Sequence, residues 1–468
     1  MEDLCTQLRK RRSSIVGASS LPKIAVGDRL RIAVVGGGWA GCAAAVTAIQ
    51  AGHAVTLLEA GRTLGGRARR VEIDGKTLDN GQHILLGAYR ASLDMMRTLQ
   101  IDPAAAMLRL PLQMRYPADS GGIAFVAPRL PAPLHLLFAL CSAQGLQGGD
   151  KLALARFFSA MRWIAWRLDH DCPVLELLQR YDQSDFLLRR LWRPLCVAAL
   201  NTPPERASAQ VFLAVLRDSL GARRSASDML LPRIDLSALL PQRAGAFIER
   251  AGGRVETGAA VKRIARSPDN THWILHFNDA QRPAETADRI VIATAPEQAS
   301  ALLAELSDTG PLAQFSYEPI TTCYLQYSPG TQLTQPFFAL LDDASEAAWG
   351  QYVFDRGQLD PSQAGLLAVV VSSAGEAIAQ GQAALTAGIA AQLARVFRRP
   401  ALAAPLWSKV ISEKRATLSC TPGLRRPAHR TDAEGILLAG DYTTGDYPAT
   451  LEAAVRSGIA AARLATSD

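Results

Sequence analysis

A glycine-rich turn near the amino terminus constrains the fold of this chain more than any other feature. Residues 31–36 form an apolar run that predicts a buried strand, residues 39–50 are rich in alanine and predict a helix, and residues 54–59 predict a second strand. The turn between the first strand and the helix has the GxGxxG spacing, at Gly36, Gly38 and Gly41. Because these glycines follow a strand and open a helix within a βαβ unit, the pattern indicates a dinucleotide-binding fold.

Each position of this turn has a physical role toward a dinucleotide. Gly36 permits the tight turn, Gly38 lets a pyrophosphate approach the backbone, and Gly41 lets the helix pack against the strand. Trp39 and Ala40 begin the helix, where free N–H groups and the positive end of the helix dipole favour phosphates. We therefore expect all five residues to form part of the cofactor site.

An acidic residue and a second pair of glycines follow the second predicted strand. Glu59 ends that strand, where an acidic side chain binds the ribose hydroxyls of a dinucleotide, and Ala60 comes next. Gly65 and Gly66 bring more backbone near the phosphates, and Arg67 adds a cation suited to a pyrophosphate. These residues extend the predicted cofactor site.

A third motif lies near the carboxyl terminus. A predicted buried strand ends in Gly440 and Asp441, which puts a carboxylate at the sheet edge where ligands bind in open α/β sheets. Pro448, Ala449 and Thr450 stand at the start of the final predicted helix, and proline is favoured there. The amino-terminal dipole of that helix would stabilise negative charge on a reduced flavin ring.

Together the three motifs resemble the FAD-binding pattern of the amine oxidase and phytoene desaturase superfamily, over residues 31–464. Within this span, residues 78–89, which include Asp79-Asn80-Gly81-Gln82-His83, are similar to the hydroxysqualene dehydroxylase group, as are residues 191–202 and 439–452. The resemblance implies FAD as the cofactor and adds Gly81, Gln82 and Val261 to the residues that bind it.

The resemblance also implies an α/β fold of the glutathione-reductase type, in which a discontinuous Rossmann-like FAD-binding domain carries an inserted α+β substrate-binding domain. We expect residues 30–115, 235–300 and 405–468 to form the FAD-binding domain, and residues 116–234 and 301–404 to form the substrate-binding domain. Residues 1–29 are rich in lysine and arginine and are expected to form a flexible basic extension.

The function implied by the resemblance is the reductive removal of the hydroxyl group of hydroxysqualene to give squalene, in squalene and hopanoid biosynthesis. Such a step needs an acid near the hydroxyl group, a dry apolar tunnel and a flavin face. In the superfamily the segment before Gln82 and His83 runs beside the flavin. His83 is our candidate proton donor, with Gln82 as a second candidate catalytic residue, while a histidine bonded to backbone is the structural alternative. Asp79 and Asn80 are expected to hold the loop.

Three other functions remain open from the sequence. A carotenoid desaturase of the phytoene type would have the same fold and a different polyene substrate. An amine oxidase would need an aromatic cage at the flavin and often a covalent cysteine, but Cys420 lies about twenty residues before Gly440. A prenyl-binding protein without flavin would lack the complete phosphate-binding set that this chain has.

Composition and the remaining segments indicate the partners. The formal charge of +7 fits an anionic cofactor or membrane surface, and no nucleic-acid-binding module is recognisable. The Pro128–Trp166 region is apolar, basic and aromatic, so it is either a peripheral contact with a lipid surface or a buried helical part of the substrate domain. No apolar run reaches the ~18 residues of a membrane span, and we expect a cytoplasmic protein, peripheral at the membrane surface.

The cysteines and the missing motifs bear on redox chemistry. The seven cysteines are dispersed without a CxxC pair or a zinc spacing, which favours reduced thiols and predicts no metal site. A second GxGxxG after a strand is not present, so no separate NAD(P)H domain is expected. We therefore expect an external reductant, with NAD(P)H as one candidate.

Overall fold

The computed structural model describes residues 29–118, 120–220 and 223–467. Residues 1–28 of the predicted basic extension lie outside the described residues. The described strands, in chain order, are β1 (Arg31–Val35), β2 (Ala54–Leu58), β3 (Arg70–Ile73), β4 (Lys76–Asp79), β5 (Leu85–Leu86), β6 (Met107–Leu110), β7 (Gln113–Arg115), β8 (Ala124–Val126), β9 (Met229–Pro232), β10 (Arg254–Glu256), β11 (Val261–Arg266), β12 (Trp273–Phe277), β13 (Glu285–Ala287), β14 (Arg289–Ile292), β15 (Tyr317–Gln326), β16 (Phe337–Ala339), β17 (Tyr352–Asp355), β18 (Leu366–Ser372), β19 (Trp407–Leu418) and β20 (Ile436–Leu438).

The helices lie between and around these strands. The described α-helices are α1 (Trp39–Gln50), α2 (Arg90–Thr98), α3 (Pro103–Ala106), α4 (Leu134–Ser142), α5 (Gly148–Trp163), α6 (Val174–Arg180), α7 (Asp185–Leu187), α8 (Arg193–Leu200), α9 (Ala209–Ser219), α10 (Leu236–Leu239), α11 (Pro241–Arg250), α12 (Pro296–Leu303), α13 (Gly310–Ala313), α14 (Gly375–Ala379), α15 (Gln382–Val396) and α16 (Leu451–Ser467). A π-helical turn, Leu188–Trp192, leads into α8.

A five-stranded parallel sheet forms the predicted dinucleotide-binding unit. Its strand order is β10-β2-β1-β14-β20, and every neighbouring pair is parallel. β1 and β14 are apolar and almost entirely buried because both faces of a parallel sheet are covered. The predicted first strand, helix and second strand are confirmed as β1, α1 and β2, and Gly52 after α1 has a left-handed φ of 96°.

The last helix closes this unit by packing against the first. A Cβ atom at Gly458 of α16 would lie 2.1 Å from the carbonyl oxygen of Ala40, so the two helices approach as closely as glycine allows. Glu452, in the first turn of α16, is fully buried and accepts a hydrogen bond of 2.9 Å from the backbone N–H of Ser92 in α2. The carboxyl terminus is therefore part of the cofactor-binding unit.

A second five-stranded sheet lies beside the first and is antiparallel. Its order is β16-β17-β18-β15-β19. Cys323 and Leu325 of β15 pack on one face in the same apolar cluster as residues of α15, whereas Tyr324 and Ile320 belong to a cluster on the other face. Residues 407–418, which the sequence led us to assign to the FAD-binding domain, form β19 of this second sheet. β19 pairs with β15, which is distant in sequence, and the division of the chain into two domains stays a prediction.

The region between residues 134 and 219 is mainly helical. Its core is aromatic, with Phe157 packed at 4.9 Å, between ring centroids, from Trp192, and Trp192 at 6.2 Å from Phe212. The indole N–H of Trp192 donates to the Gln183 side chain over 3.0 Å. Within the described residues, no helix is both long enough and apolar enough to cross a membrane.

Candidate active site

A large cavity lies between the parallel sheet, the second sheet and the helical region. Its volume is about 1490 Å³, which exceeds the range of about 300–1,000 Å³ typical of a small-molecule pocket. One end is lined by the glycine-rich turns and by charged residues, and the other end by aliphatic and aromatic side chains. The cavity therefore has room for two ligands of different polarity.

The predicted cofactor-binding residues line this cavity, with the exceptions of Gly41 and Pro448. A Cβ atom at Gly41 would lie 1.8 Å from the carbonyl oxygen of Gly36, so Gly41 serves the close packing of helix and strand, as predicted. Pro448 is not the first residue of the last helix, because α16 begins at Leu451. Thr450 caps that helix instead, accepting a hydrogen bond of 3.0 Å from the N–H of Ala453.

The two glycine turns meet at the polar end of the cavity. The N–H of Gly65 donates to the carbonyl oxygen of Gly37 over 2.8 Å. Gly38 has a φ of −72°, and a Cβ atom there would meet nothing closer than the Cα of Gly66, at 3.9 Å. The fold itself would therefore tolerate a side chain at Gly38, and glycine leaves free the cavity volume that a pyrophosphate needs.

Glu59 lies beside these turns and holds them in place. Its carboxylate accepts hydrogen bonds from the N–H of Gly37, at 2.7 Å, and of Gly61, at 2.6 Å. Each carboxylate oxygen has a further lone pair, and the side chain lines the cavity. Glu59 can therefore still accept hydrogen bonds from the hydroxyl groups of a ribose.

Arg67 joins the two ends of the chain at the cavity. One terminal nitrogen of its guanidinium group donates to the Asp441 carboxylate over 2.6 Å, and the other donates to the carbonyl oxygen of Ala416 over 2.7 Å. Asn80 donates to the carbonyl oxygen of Arg67 over 3.1 Å, which fits its predicted role in holding the loop. The Asp441 carboxylate raises the pKa of Arg67, so a fixed positive charge stays beside the cavity.

Two tyrosines near Arg67 were not predicted from the sequence. Both residues line the cavity; the buried Tyr442 hydroxyl has no hydrogen-bond partner among the described residues, whereas the Tyr317 hydroxyl lies beside the Glu297 carboxylate. Burial raises the pKa of both, so both remain protonated and able to donate. A polar ligand would satisfy the Tyr442 hydroxyl, and with the glycine cradle, Glu59 and Arg67 it forms a donor and acceptor set that fits FAD. Tyr442 follows Asp441 directly, but Tyr317 carries no sequence signal.

Gln82 lies in a buried network that fixes its amide. Its nitrogen donates to the Tyr324 hydroxyl over 2.8 Å, and its oxygen accepts from Arg356 over 3.2 Å. The Tyr324 hydroxyl donates to the backbone oxygen of Asp79 over 2.8 Å. Because both ends of the amide are engaged, Gln82 is suited to positioning the loop that precedes His83.

The Asp79 carboxylate also helps to hold the loop that precedes His83. It accepts a hydrogen bond of 2.9 Å from the N–H of Leu236, at the start of α10. Burial raises the pKa of Asp79 to about 6, and the backbone hydrogen bond opposes that shift. This contact fits the predicted structural role of Asp79.

His83 lines the cavity, but its hydrogen bonding is that of a neutral ring, whereas a proton donor would carry a proton on Nε2. Nδ1 donates to the carbonyl oxygen of Gly81 over 3.0 Å, which is the structural contact that the sequence left open. Burial lowers the pKa of His83, so the neutral ring is favoured, with its lone pair on Nε2. Nε2 has no hydrogen-bond partner among the described residues and is open to a ligand.

The far end of the cavity is apolar. Phe337 stacks on Tyr352 with ring centroids 5.4 Å apart, and Phe354 lies 5.2 Å from Phe337, all on the face of the second sheet that lines the cavity. Aliphatic and aromatic residues of the helical region complete the wall, among them Leu136, Leu137, Leu140, Phe158, Trp166, Leu191, Leu195, Phe212 and Leu216. This lining is suited to a long hydrocarbon.

Large apolar side chains are exposed on α4 and α5, which form part of this wall. Trp163 is 91% exposed, and Leu137 and Phe138 are each 53% exposed. Leu137 also lines the cavity, so the exposed surface adjoins the apolar end. We call the exposed residues Leu134, Leu137, Phe138, Leu152 and Trp163 the apolar patch.

Comparison with known proteins identifies relatives that match almost the whole chain. A profile of the family described as flavin containing amine oxidoreductase matches residues 39–466. The chain is 28% identical over 445 residues to a hydroxysqualene dehydroxylase from Rhodopseudomonas palustris, with 92% of this chain and 97% of that relative covered. It is 25% identical over 480 residues to a zeta-carotene desaturase from Synechocystis, with 93% of this chain and 96% of that relative covered.

Solved structures show the same fold. Cyclohexylamine oxidase from Brevibacterium oxydans superposes with a TM-score of 0.65 at 18% identity, covering 94% of this chain and 99% of that chain. The predicted α/β fold class and FAD as the cofactor are thereby confirmed. The chain is an FAD-dependent oxidoreductase and belongs to the flavin-containing amine oxidoreductase family.

Proposed function

We propose that this chain removes the hydroxyl group of hydroxysqualene reductively and releases squalene. The observation that carries the proposal is the continuous cavity, in which a donor and acceptor set suited to FAD adjoins an apolar chamber. The relative from Rhodopseudomonas palustris, named hydroxysqualene dehydroxylase, supports the same substrate. The resemblance of residues 78–89 to that group also points to this alcohol.

In this reaction the C–O bond of the substrate breaks, a C–H bond forms, and the hydroxyl group leaves as water. Reduced FAD, when bound, supplies the hydrogen and the two electrons that the carbon gains. Glu59 would hold the ribose hydroxyls of the cofactor, Gly38 and Arg67 its pyrophosphate, and Asp441 its ribityl chain. The apolar walls exclude water and hold the two hydrocarbon arms of the substrate.

His83 would deliver the proton to the departing hydroxyl group. Its Nε2 is open to the cavity, and the Gly81 carbonyl and the Gln82 network fix the ring. Because the neutral ring is favoured, His83 must take up a proton before it can donate one. We propose that Gln82 is a positioning residue for His83.

The other functions considered have less support. A carotenoid desaturase remains the alternative, since a zeta-carotene desaturase is 25% identical, somewhat less than the 28% of the hydroxysqualene dehydroxylase. A non-catalytic prenyl-binding protein would not need the complete cofactor set. The reductant would come from outside the chain, with NAD(P)H as one candidate.

We also propose a peripheral membrane contact through the apolar patch. Long isoprenoids dissolve in the bilayer, and the patch adjoins the apolar end of the cavity. Lys151, Arg156 and Arg162 lie on the same helix as Leu152 and Trp163 and would favour an anionic surface. Substrate could then enter the cavity from the lipid side.

Product analysis with two substrates tests the proposed function. Anaerobic enzyme with reduced FAD should convert hydroxysqualene to squalene, with one flavin oxidised for each squalene formed. Phytoene, incubated with the oxidised enzyme, should remain unchanged. Absence of squalene from flavin-loaded enzyme would overturn the proposal, and desaturation of phytoene would favour the alternative.

Substitution of Gly38 tests the cofactor site. Gly38→Val should weaken FAD binding by about 100-fold, or about 2.7 kcal/mol, because the side chain would occupy the space left for the pyrophosphate. The melting temperature of the flavin-free protein should not change, because the fold has room at this position. The measurement is flavin absorbance per protein, together with FAD titration. Wild-type FAD affinity in this variant would contradict the assignment.

The pH dependence of turnover tests the role of His83. A general acid works only when protonated, so the wild-type rate should rise as pH falls through the lowered His83 pKa, below the ordinary value of about 6.5. His83→Gln should remove this limb and slow turnover by about 100-fold or more at low pH, with normal FAD content. A variant that keeps both the rate and the pH profile would exclude His83 as the proton donor.

Flotation with liposomes tests the membrane contact. Intact protein should co-float with anionic liposomes, and Phe138→Asp with Trp163→Asp should reduce the bound fraction by about tenfold, because two exposed apolar anchors are lost. Neither residue lines the cavity. The matched control is Leu406→Asp, since Leu406 is 76% exposed outside the patch. No co-flotation of the wild-type protein would reject the contact.

A further inference from the structure

A second, smaller cavity lies outside the active site and is rich in arginine. Its volume is about 310 Å³, and it lies between α2, β6 and the segment that precedes β9. The residues that line it are Gly87, Arg90, Leu93, Asp94, Arg97, Arg109 and Ser225. None of them lines the large cavity. We call this smaller cavity the arginine pocket.

The arginine pocket carries excess positive charge. Arg90 forms no ion pair or side-chain hydrogen bond with the residues that the structure describes, and Arg97 pairs only with the exposed Asp94. Arg109 uses one guanidinium nitrogen to bind the buried Asp228 at 2.9 Å. These three side chains retain free N–H donors that face or border the pocket.

Asp228 does not cancel the charge of the pocket. Arg224 also lies 3.5 Å from this carboxylate, so two cations share one buried anion. The carboxylate therefore anchors Arg109 at the pocket wall while leaving the cluster positive. Guanidinium groups in such a cluster match the geometry of phosphate oxygens, which accept paired hydrogen bonds.

The segment Arg224–Asp228 borders the arginine pocket and also interacts with α4. A Cβ atom at Gly87 would lie 1.8 Å from the carbonyl oxygen of Ser225, so the pocket floor packs directly on the segment Arg224–Asp228. On α4, His135 is buried close enough to Arg224 and Asp228 to interact with their charges. α4 also carries the exposed Leu134, Leu137 and Phe138. The same segment therefore connects the pocket with the helix that carries part of the patch.

We propose that the arginine pocket binds the phosphate of an anionic phospholipid headgroup while the apolar patch lies on the bilayer. The proposal rests on the membrane contact of the proposed function and adds a specific ligand to it. Apolar side chains inserted at the headgroup boundary bring phosphates to the level of neighbouring basic residues. The pocket is open at the protein surface, as a headgroup still attached to the membrane requires.

The test separates recognition of phosphate from attraction by bulk charge. Vesicles of phosphatidylcholine carry either phosphatidylglycerol, a phosphate anion, or oleate, a carboxylate anion, at matched surface potential. Wild-type protein should partition about tenfold more strongly onto the phosphatidylglycerol vesicles. Arg90→Gln with Arg97→Gln should abolish this preference, because it removes the guanidinium donors that pair with phosphate oxygens.

Arg109 is left in place because its removal would leave Asp228 short of a partner. The matched control is Arg243→Gln with Arg250→Gln, which removes two exposed arginines from α11 and should keep the preference. Turnover of detergent-solubilised hydroxysqualene should be unchanged in every variant. If turnover persists in a variant that has lost lipid recognition, the enzyme still performs the proposed function, so the two failures can be told apart.

Three results would overturn the proposal. The first is equal partitioning of the wild-type protein onto both kinds of vesicle. The second is a preference that survives in the Arg90 and Arg97 variant. The third is displacement of the protein from phosphatidylglycerol vesicles by inorganic phosphate at matched ionic strength. If phosphate displaces the protein at concentrations no higher than that of the accessible lipid, the pocket is a site for soluble phosphate.

Discussion

The ion pair between Arg67 and Asp441 is the interaction on which the cofactor site depends. It joins residues 374 positions apart over 2.6 Å, at the place where the second glycine turn meets the end of the parallel sheet. Asp441 is only 8% exposed, so its charge would be costly without a cation beside it. The pair therefore holds the amino-terminal and carboxyl-terminal motifs together and keeps a positive charge where a pyrophosphate would bind.

The chemistry follows from where this pair lies in the cavity. Polar groups gather at one end, including the unpartnered hydroxyl of Tyr442, while the other end is lined by Phe337, Tyr352 and the helical region. An oxidoreductase acting on a long isoprenoid needs this arrangement, because the flavin and the hydrocarbon must meet without water. The exposed Leu137 lines the hydrocarbon end, and on this we base the proposal that substrate enters from the bilayer.

Much of the fold could be predicted because its signals are local. The apolar run of β1, the glycine spacing and the alanine-rich α1 are contiguous, and the glycines match a known packing requirement. Pairings across long distances could not be predicted: β19 joins β15, and Arg356 binds Gln82 from 274 residues away, with no local pattern to indicate either. His83 was found from its motif, but its tautomer depends on the Gly81 carbonyl, which only the folded backbone brings into place.

A double-mutant cycle on FAD affinity tests the central claim most directly. FAD dissociation constants would be measured for wild type, Arg67→Gln, Asp441→Asn and the double variant. The account predicts that each single change weakens binding at least about tenfold, because it either removes the guanidinium group or releases it from its fixed position. The double variant should be much less impaired than the product of the two losses, with a coupling energy of about 1–3 kcal/mol. Losses that multiply independently, or an unchanged FAD affinity in either single variant, would contradict it.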